Sequence, residues 1–329
     1  MVSGKNSESV TIDKGTPQGS RLSPLLFLVL MSDLNLHTEG TLSNYADDTQ
    51  LTIFEDTEEK TRKRASEEAD SIIRFFQGVK LCNNADKAAL IYNSKGKHKE
   101  IEMNVGGEIL KSKETEKLLG LNISSSLDWQ KHVDLLCITL KQRLGILARV
   151  KDKVNKEALK ITAEAIFMSK VRYGLAVYAK PKFQFNHQEQ PMDPNIAKLQ
   201  VVQNDLLRLM QGKNRKSHTN MQKMREDLKF MSINQLSCYH VAMEMDNIIN
   251  HSSSDLLKEE FKLEQTRYEL RCLEDGKVKV PEKGKKNCTG FSYIGPKFWN
   301  HLLGHVRKTT MKGTFRALKL KGWIWKEIQ

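Results

Sequence analysis

The chain has 329 residues, of which 39% are hydrophobic and 28% charged, enough apolar material for two or three modest domains with real cores. That balance excludes a disordered polypeptide, and the longest apolar run, Leu25 to Met31, is far too short to span a bilayer. The net charge of +13 is lopsided: residues 1–150 hold 20 Lys and Arg against 21 Asp and Glu, residues 151–329 hold 33 against 19.

In chain order, Val10-Thr11-Ile12 alternates as a short strand and ends at Asp13. Gly15, Pro17 and Gly19 then make a tight loop that exposes backbone. Ser23-Pro24 opens a helix, Ser as the cap and Pro at the first helical position, and Leu25 to Met31 carries it into the core. Taken alone this is an ordinary strand–loop–helix connection. The functional reading is a loop that lets a nucleotide or template strand approach the backbone, with Gln18 pointing into the site. Leu42 to Ala46 and Thr49 to Phe54 read as strands, which places Asp47 and Asp48 at the turn of a β-hairpin. A tight turn holds carboxylates close together and towards solvent, as a Mg²⁺ site requires, although Asp also favours turns for local reasons.

Thr57 to Phe76 is predicted as an amphipathic helix with Ala65, Ala69, Ile72, Ile73 and Phe76 on its apolar face. Strands follow at 88–93, 100–105 and 117–123, with Gly106-Gly107 turning a hairpin. Helices at Gln130 to Val150 and Lys156 to Tyr178 form a helical hairpin. Residues 181–194, with three prolines, read as a linker, and helices resume at Ile196 to Met210 and Ile233 to Ile249. Between them Lys213, Arg215, Lys216 and His218 make a basic loop suited to phosphate. The stretch from Ser252 to about 287 is weakly patterned. The last 29 residues carry seven Lys and Arg against one acid, with Trp323 and Trp325 available for base stacking or for a core. Five scattered cysteines, Cys82, Cys137, Cys238, Cys272 and Cys288, form no Cys-x-x-Cys pair and so no evident disulfide framework or zinc knuckle. With the polar stretch after Met1, they suggest an intracellular protein, nuclear or cytoplasmic rather than secreted.

Gly15-Thr16-Pro17-Gln18-Gly19-Ser20, continued by Leu22-Ser23-Pro24 and Leu26-Phe27, and then Tyr45-Ala46-Asp47-Asp48, resemble motifs B and C of a reverse transcriptase from a non-LTR (LINE-type) retrotransposon. Cys82 to Lys87 is similar to motif D, Leu118 to Trp129 to the end of the palm, and Phe291 to Asn300 to a C-terminal signature of these elements. The resemblance implies an α+β fold: a partial polymerase palm over 1–128, a helical thumb over 129–180, the linker, and a basic, mostly helical C-terminal domain over 195–329. It implies two-metal nucleotidyl transfer with Mg²⁺ or Mn²⁺ held by Asp47 and, less directly, Asp48. Tyr45 and Ala46 would lie at the primer end, and Gln18 and Gly19 at template and nucleotide. Lys87 would protonate the leaving group, or is simply a solvated surface lysine. The partners implied are an RNA template, a DNA primer and deoxynucleoside triphosphates, with no membrane.

One departure accompanies the match. The family's further metal-binding Asp, in motif A, has no counterpart: no Asp-x-x-x-Ala-Phe-Asp pattern occurs, and Asp13 lies too close to the loop to replace it. The expectation is a 5′-truncated polymerase without fingers, which binds the ions poorly and does not polymerise DNA alone. The alternative is a nucleic-acid-binding module that keeps the basic half while its palm is vestigial.

Overall fold

The computed structural model describes residues 15–17, 19–82, 84–94, 97–183, 192–215, 219–251, 255–262, 277–281, 290–302, 320, 322, 324 and 328. They combine helices with small antiparallel two-stranded sheets, and the chain divides into two compact units, 1–116 and 117–329.

The first unit opens with α1 (Ser23–Met31), then β1 (Thr41–Tyr45) paired with β2 (Asp48–Thr52), and α2 (Glu58–Gly78). Thr57 caps α2 by accepting from the Lys60 N–H at 3.3 Å, so the helix starts where its side-chain chemistry predicts. Its apolar face buries Ile72 and Phe75 against Met31 and Leu34, with Phe27, Leu42 and Leu51 packed alongside. The small β3 (Asn93–Ser94) and β4 (Lys97–His98) pair precedes β5 (Glu102–Val105) and β6 (Glu108–Lys111). Gly106 and Gly107 turn the latter hairpin at φ of 62° and 87°, which is left-handed backbone open to glycine at no steric cost. The Gly106 N–H donates to Asp70 of α2 at 2.7 Å and ties hairpin to helix.

Several expectations need correction here. The strand expected at 88–93 is reduced to one parallel bridge between Leu90 and Ser112 and to the two residues of β3. The strand expected at 117–123 is a hairpin: β7 (Thr115–Leu118) and β8 (Leu121–Ser124) pair around Leu119 and Gly120, at φ of 46° and 86°. Most consequential is α1. Apart from Met31 and the partly covered Phe27, its apolar residues are not core: Leu25, Leu26, Leu28, Val29 and Leu30 are all exposed.

The second unit is built on α3 (Gln130–Val150), where periodicity predicts an apolar stripe of Val133, Leu136, Leu140, Leu144 and Leu147; all but the partly buried Leu144 are buried. After it the single helix expected to Tyr178 is broken. α4 (Lys156–Ala163) passes through a π turn (Glu164–Met168) into α5 (Ser169–Arg172), and Gly174, at φ 70°, separates α6 (Leu175–Tyr178). Arg143 of α3 donates to the Ile166 carbonyl in the π turn, a tertiary partner for a carbonyl of irregular helix. The long α7 (Pro194–Met210) and α9 (Ile233–Asn250) follow, with α8 (Met221–Leu228) between them, and then the short α10 (Asp255–Glu260) and α11 (Phe291–His301). Ser232 and Gln235 form a reciprocal capping box at the start of α9.

The helices on either side of residues 181–194 pack together. One continuous hydrophobic core runs from Val133 to Ile328, and Phe183, in the expected linker, is buried in it against Phe298. The Asn234 amide accepts from the Lys182 N–H and donates to its carbonyl, at 2.7 and 2.8 Å, so it pairs like a strand with that segment. Asn300 treats Val278 in the same way. Residues 184–191 of the expected linker lie outside the described residues.

Candidate active site

The hairpin β1–β2 has a two-residue turn, because Tyr45 is paired with Asp48. Ala46 and Asp47 therefore form the turn itself, and Asp48 is the first residue of β2, one position further into the strand than expected. Ala46 takes φ 51°, a left-handed conformation that costs a residue with a Cβ about 1 kcal/mol. Asp47 and Asp48 are both exposed, and Tyr45 is 68% exposed. Beside them the Thr49 hydroxyl is enclosed with no hydrogen-bond partner among the described residues.

The base of the hairpin is fixed to α2 by a residue that sequence reasoning missed. Glu68, 9% exposed, accepts from the Thr38 hydroxyl and from the Glu39 N–H at 2.9 Å, and pairs with Arg64 at 3.4 Å. Burial pushes its carboxyl upwards. The hydrogen bonds from Thr38, from the backbone at Glu39 and Gly40, and from Arg64 together outweigh that and hold it below its ordinary value. Gly40 completes the junction: a Cβ there would meet Ile53 and Leu51 at 2.6 Å. The signal was present in the sequence, since an acid lies between Ala65 and Ile72 on the face predicted to be apolar.

The glycine loop adopts the form expected of it only in part. Gly19 is exposed at φ 85°, and open space surrounds its Cα. Ser23, expected as the cap of α1, is its first residue, and its hydroxyl donates to the Pro17 carbonyl at 2.9 Å, closing the loop. Gln18 lies outside the described residues, as do Asp13, Lys216, His218, Trp323, Trp325, Cys272 and Cys288. Lys87 ends a short 3₁₀ turn (Ala85–Lys87) and is exposed; among the described residues no hydrogen bond or ion pair joins it to Asp47 or Asp48.

For a divalent ion the donor set is two exposed carboxylates on successive residues. That fits one Mg²⁺, which commonly takes one or two carboxylates and fills its octahedron with water and phosphate oxygens. It does not fit two ions, and among the described residues no grouping of three or more His, Cys, Asp or Glu could hold a metal. In the basic loop Arg215 is committed to Asp205 through a two-pronged ion pair, which also engages Arg208, so it is less free for phosphate than its sequence suggests. Cys82 is exposed, whereas Cys137 and Cys238 are buried, with thiols pushed up by that burial. Among the described residues no helix is long and apolar enough to cross a membrane.

Residues 1–140 match the family described as reverse transcriptase (RNA-dependent DNA polymerase), a span that includes the glycine loop, the Asp-Asp hairpin and Lys87. The RNA-directed DNA polymerase from mobile element jockey of Drosophila melanogaster is 25% identical over 190 residues, covering 54% of this chain and 20% of that protein. The chain thus spans about a fifth of the length of that relative. No solved structure matches it. With the sequence order of glycine loop, Asp-Asp hairpin and lysine turn on one side and these matches on the other, residues 1–140 are a reverse transcriptase segment of the non-LTR retrotransposon kind.

Proposed function

We propose that this chain presents the Asp47–Asp48 hairpin to a primer end and holds the nucleic acid with the basic half that follows, as part of an RNA-directed DNA polymerase. The observation that carries the reading is the exposed two-residue turn at Ala46-Asp47, inside the matched segment. On this reading residues 1–128 are palm, 129–180 thumb and 195–329 a C-terminal region, and the ligands are an RNA template, a DNA primer and deoxynucleoside triphosphates.

Each described residue has a part to which its position is suited. Asp47 and Asp48 would hold Mg²⁺ or Mn²⁺, which when bound supplies charge stabilisation at the phosphoryl group. Ala46 presents only a methyl at the tip, so a sugar-phosphate end can approach the carboxylates. Tyr45, 68% exposed, offers a ring edge and face beneath it. At Gly19 the open left-handed backbone lets a strand come close without meeting a side chain. Lys87 supplies an exposed ammonium for the leaving group. Gln18 keeps its place as a template contact by motif position.

Two carboxylates do not retain two ions, so these 329 residues by themselves are expected not to extend a primer. The test is primer extension on poly(rA)/oligo(dT) with Mg²⁺ or Mn²⁺, wild type beside Asp47→Ala, together with RNA binding across a salt series. The expected result is no incorporation, with RNA affinity that falls steeply as salt rises. Incorporation abolished by Asp47→Ala would show that the metal site is complete within the chain. The second reading, a retained nucleic-acid-binding module, is favoured by the excess of 33 Lys and Arg over 19 acids in residues 151–329. Absence of salt-sensitive RNA binding would remove it.

A further inference from the structure

We propose that Arg64 and Glu68, one turn apart on α2, are positioning residues that clamp both ends of the β1–β2 hairpin and so fix how its Asp-Asp turn is held, a role that rests on Asp47 and Asp48 facing a primer end as proposed. The hairpin needs such support. Among the described residues β1 and β2 pair only with each other, and a lone two-stranded hairpin is marginal in water. Its footing on the cluster of Met31, Leu34, Ile72 and Phe75 is one cross-strand pair, Leu42 and Leu51. One pair resists tilting poorly. A strand of this length rises about 14 Å, so a tilt of about 5° at its base carries the turn by roughly 1 Å. Where reacting groups must be aligned, a shift of about 1 Å costs on the order of a hundredfold in rate.

The polar contacts restrain that tilt from both sides. Ahead of β1, Glu68 accepts from the Thr38 hydroxyl and from the Glu39 N–H at 2.9 Å, while the Gly40 N–H donates to the Thr38 oxygen at 3.1 Å. Beyond β2, the Arg64 guanidinium donates through Nη1 to Glu55 at 2.7 Å and through Nε to Glu68 at 3.4 Å. A single chain of hydrogen bonds therefore runs from Gly40 through Thr38, Glu68 and Arg64 to Glu55, joining the segments that enter and leave the hairpin. Its middle stands on a helix whose Ile72 and Phe75 are buried. The Glu68, Glu55 and Arg64 side chains are only 10%, 22% and 34% exposed, so solvent screens these pairs less than it does the open Lys63–Glu67 pair, 77% and 65% exposed. The planar fork of Arg64 serves two carboxylates at once, which a lysine ammonium reproduces poorly.

Hydrogen–deuterium exchange of the full chain, followed peptide by peptide, tests this. Glu68→Ala should speed exchange in β1 and β2 at least about tenfold while β5 and β6 change by less than about twofold, because the clamp is local. Glu68→Gln keeps an oxygen for Thr38 and Glu39 and should return the hairpin to within about threefold of wild type. Arg64→Lys should loosen the hairpin by about threefold, and it keeps the test decisive should Glu68→Ala not fold. Lys63→Ala is the control and should leave both hairpins as they are. A second readout follows the turn itself: Mn²⁺ should broaden the amide signals of Tyr45 to Asp48, and Asp47→Ala should abolish the effect. Glu68→Ala should weaken the apparent Mn²⁺ affinity about threefold, with Glu68→Gln restoring it. If Mn²⁺ leaves the wild-type signals unchanged, the metal reading of Asp47 fails and exchange alone decides the clamp. Unchanged hairpin exchange in Glu68→Ala or Arg64→Lys, equal acceleration throughout the first unit, or no rescue by Glu68→Gln would each overturn the proposal. So would a Mn²⁺ affinity, present in wild type, that Glu68→Ala does not move.

Discussion

His240, on α9, has its Nε2 enclosed with no hydrogen-bond partner among the described residues. Burial, and after it the charge of Arg172, lower its pKa from the ordinary 6.5 to about 4. Arg172 is itself paired with Glu164 at 2.5 Å, and the Tyr239 ring stands edge-on to the imidazole. The unfolded chain therefore takes up this proton before the folded one as pH falls. Stability is complete above pH 6.5 and declines as pH drops towards 4, by on the order of 2–3 kcal/mol from this group. His240→Phe keeps the ring and removes the proton, so its urea-unfolding free energy should change less between pH 7 and 4.5 than that of wild type. Equal slopes in both proteins would show that the imidazole is not neutral in the fold. Nothing in the local sequence marks His240, because its environment is assembled by α5 and α9. Glu68 was legible in principle, as an acid on a predicted apolar face, but its partners at Thr38 and Glu39 lie about 30 residues upstream and only packing reveals them.

Among the elements, the candidate catalytic hairpin was readable almost completely. Alternating apolar residues around two aspartates predict strand–turn–strand, and the turn position follows to within one residue. The left-handed Ala46 was not readable, since alanine does not favour that region. Ala46→Gly should leave the first unit unchanged or more stable by up to about 1 kcal/mol, as relief of the Cβ clash outweighs the added chain entropy. Ala46→Val should lose about 1–2 kcal/mol, because a β-branched residue tolerates positive φ least. Thermal melting of the two variants checks both, and a fully tolerated valine would contradict the turn geometry. The β7–β8 hairpin was hidden for a related reason. Leu119 gives no turn signal, and the conformation is supported from a distance by Tyr173, whose hydroxyl donates to the Leu119 carbonyl at 2.5 Å while its ring lies against Gly120. In α4 to α6 an apolar stripe of unbroken helical period concealed a π turn that Arg143 stabilises from α3.

For the molecule as a whole, the C-terminal end is part of the second unit's core. Leu320, Ile324 and Ile328 recur at four-residue steps and are 3%, 0% and 8% exposed, and the Ile328 carbonyl accepts from the Gln235 amide at 2.7 Å. Gln235 thus both closes the capping box of α9 and anchors the chain end. Ile324→Ala should cost about 2–4 kcal/mol in urea unfolding, the usual loss for a large-to-small change at a fully buried site. Lys223→Ala, on an exposed face of α8, should change stability by less than about 0.5 kcal/mol. Similar losses for the two would mean that the chain end does not contribute to the core.

The family, the acidic turn, the apolar stripes of α2 and α3, the presence of α7 and α9, and the charge imbalance were all determined by the sequence itself, because each depends on residues within a few positions of one another or on simple composition. The tertiary structure alone decided that the described residues leave most of α1 uncovered, that the helices on either side of residues 181–194 share one core, and that Arg215 is held by Asp205. It also supplied the asparagine clamps on Lys182 and Val278 and the Glu68 junction beneath the candidate catalytic hairpin. The physical reason is the same in each case. Periodicity shows that a face is apolar or that a side chain is charged, but burial and pairing depend on which partner surface the folded chain brings to it.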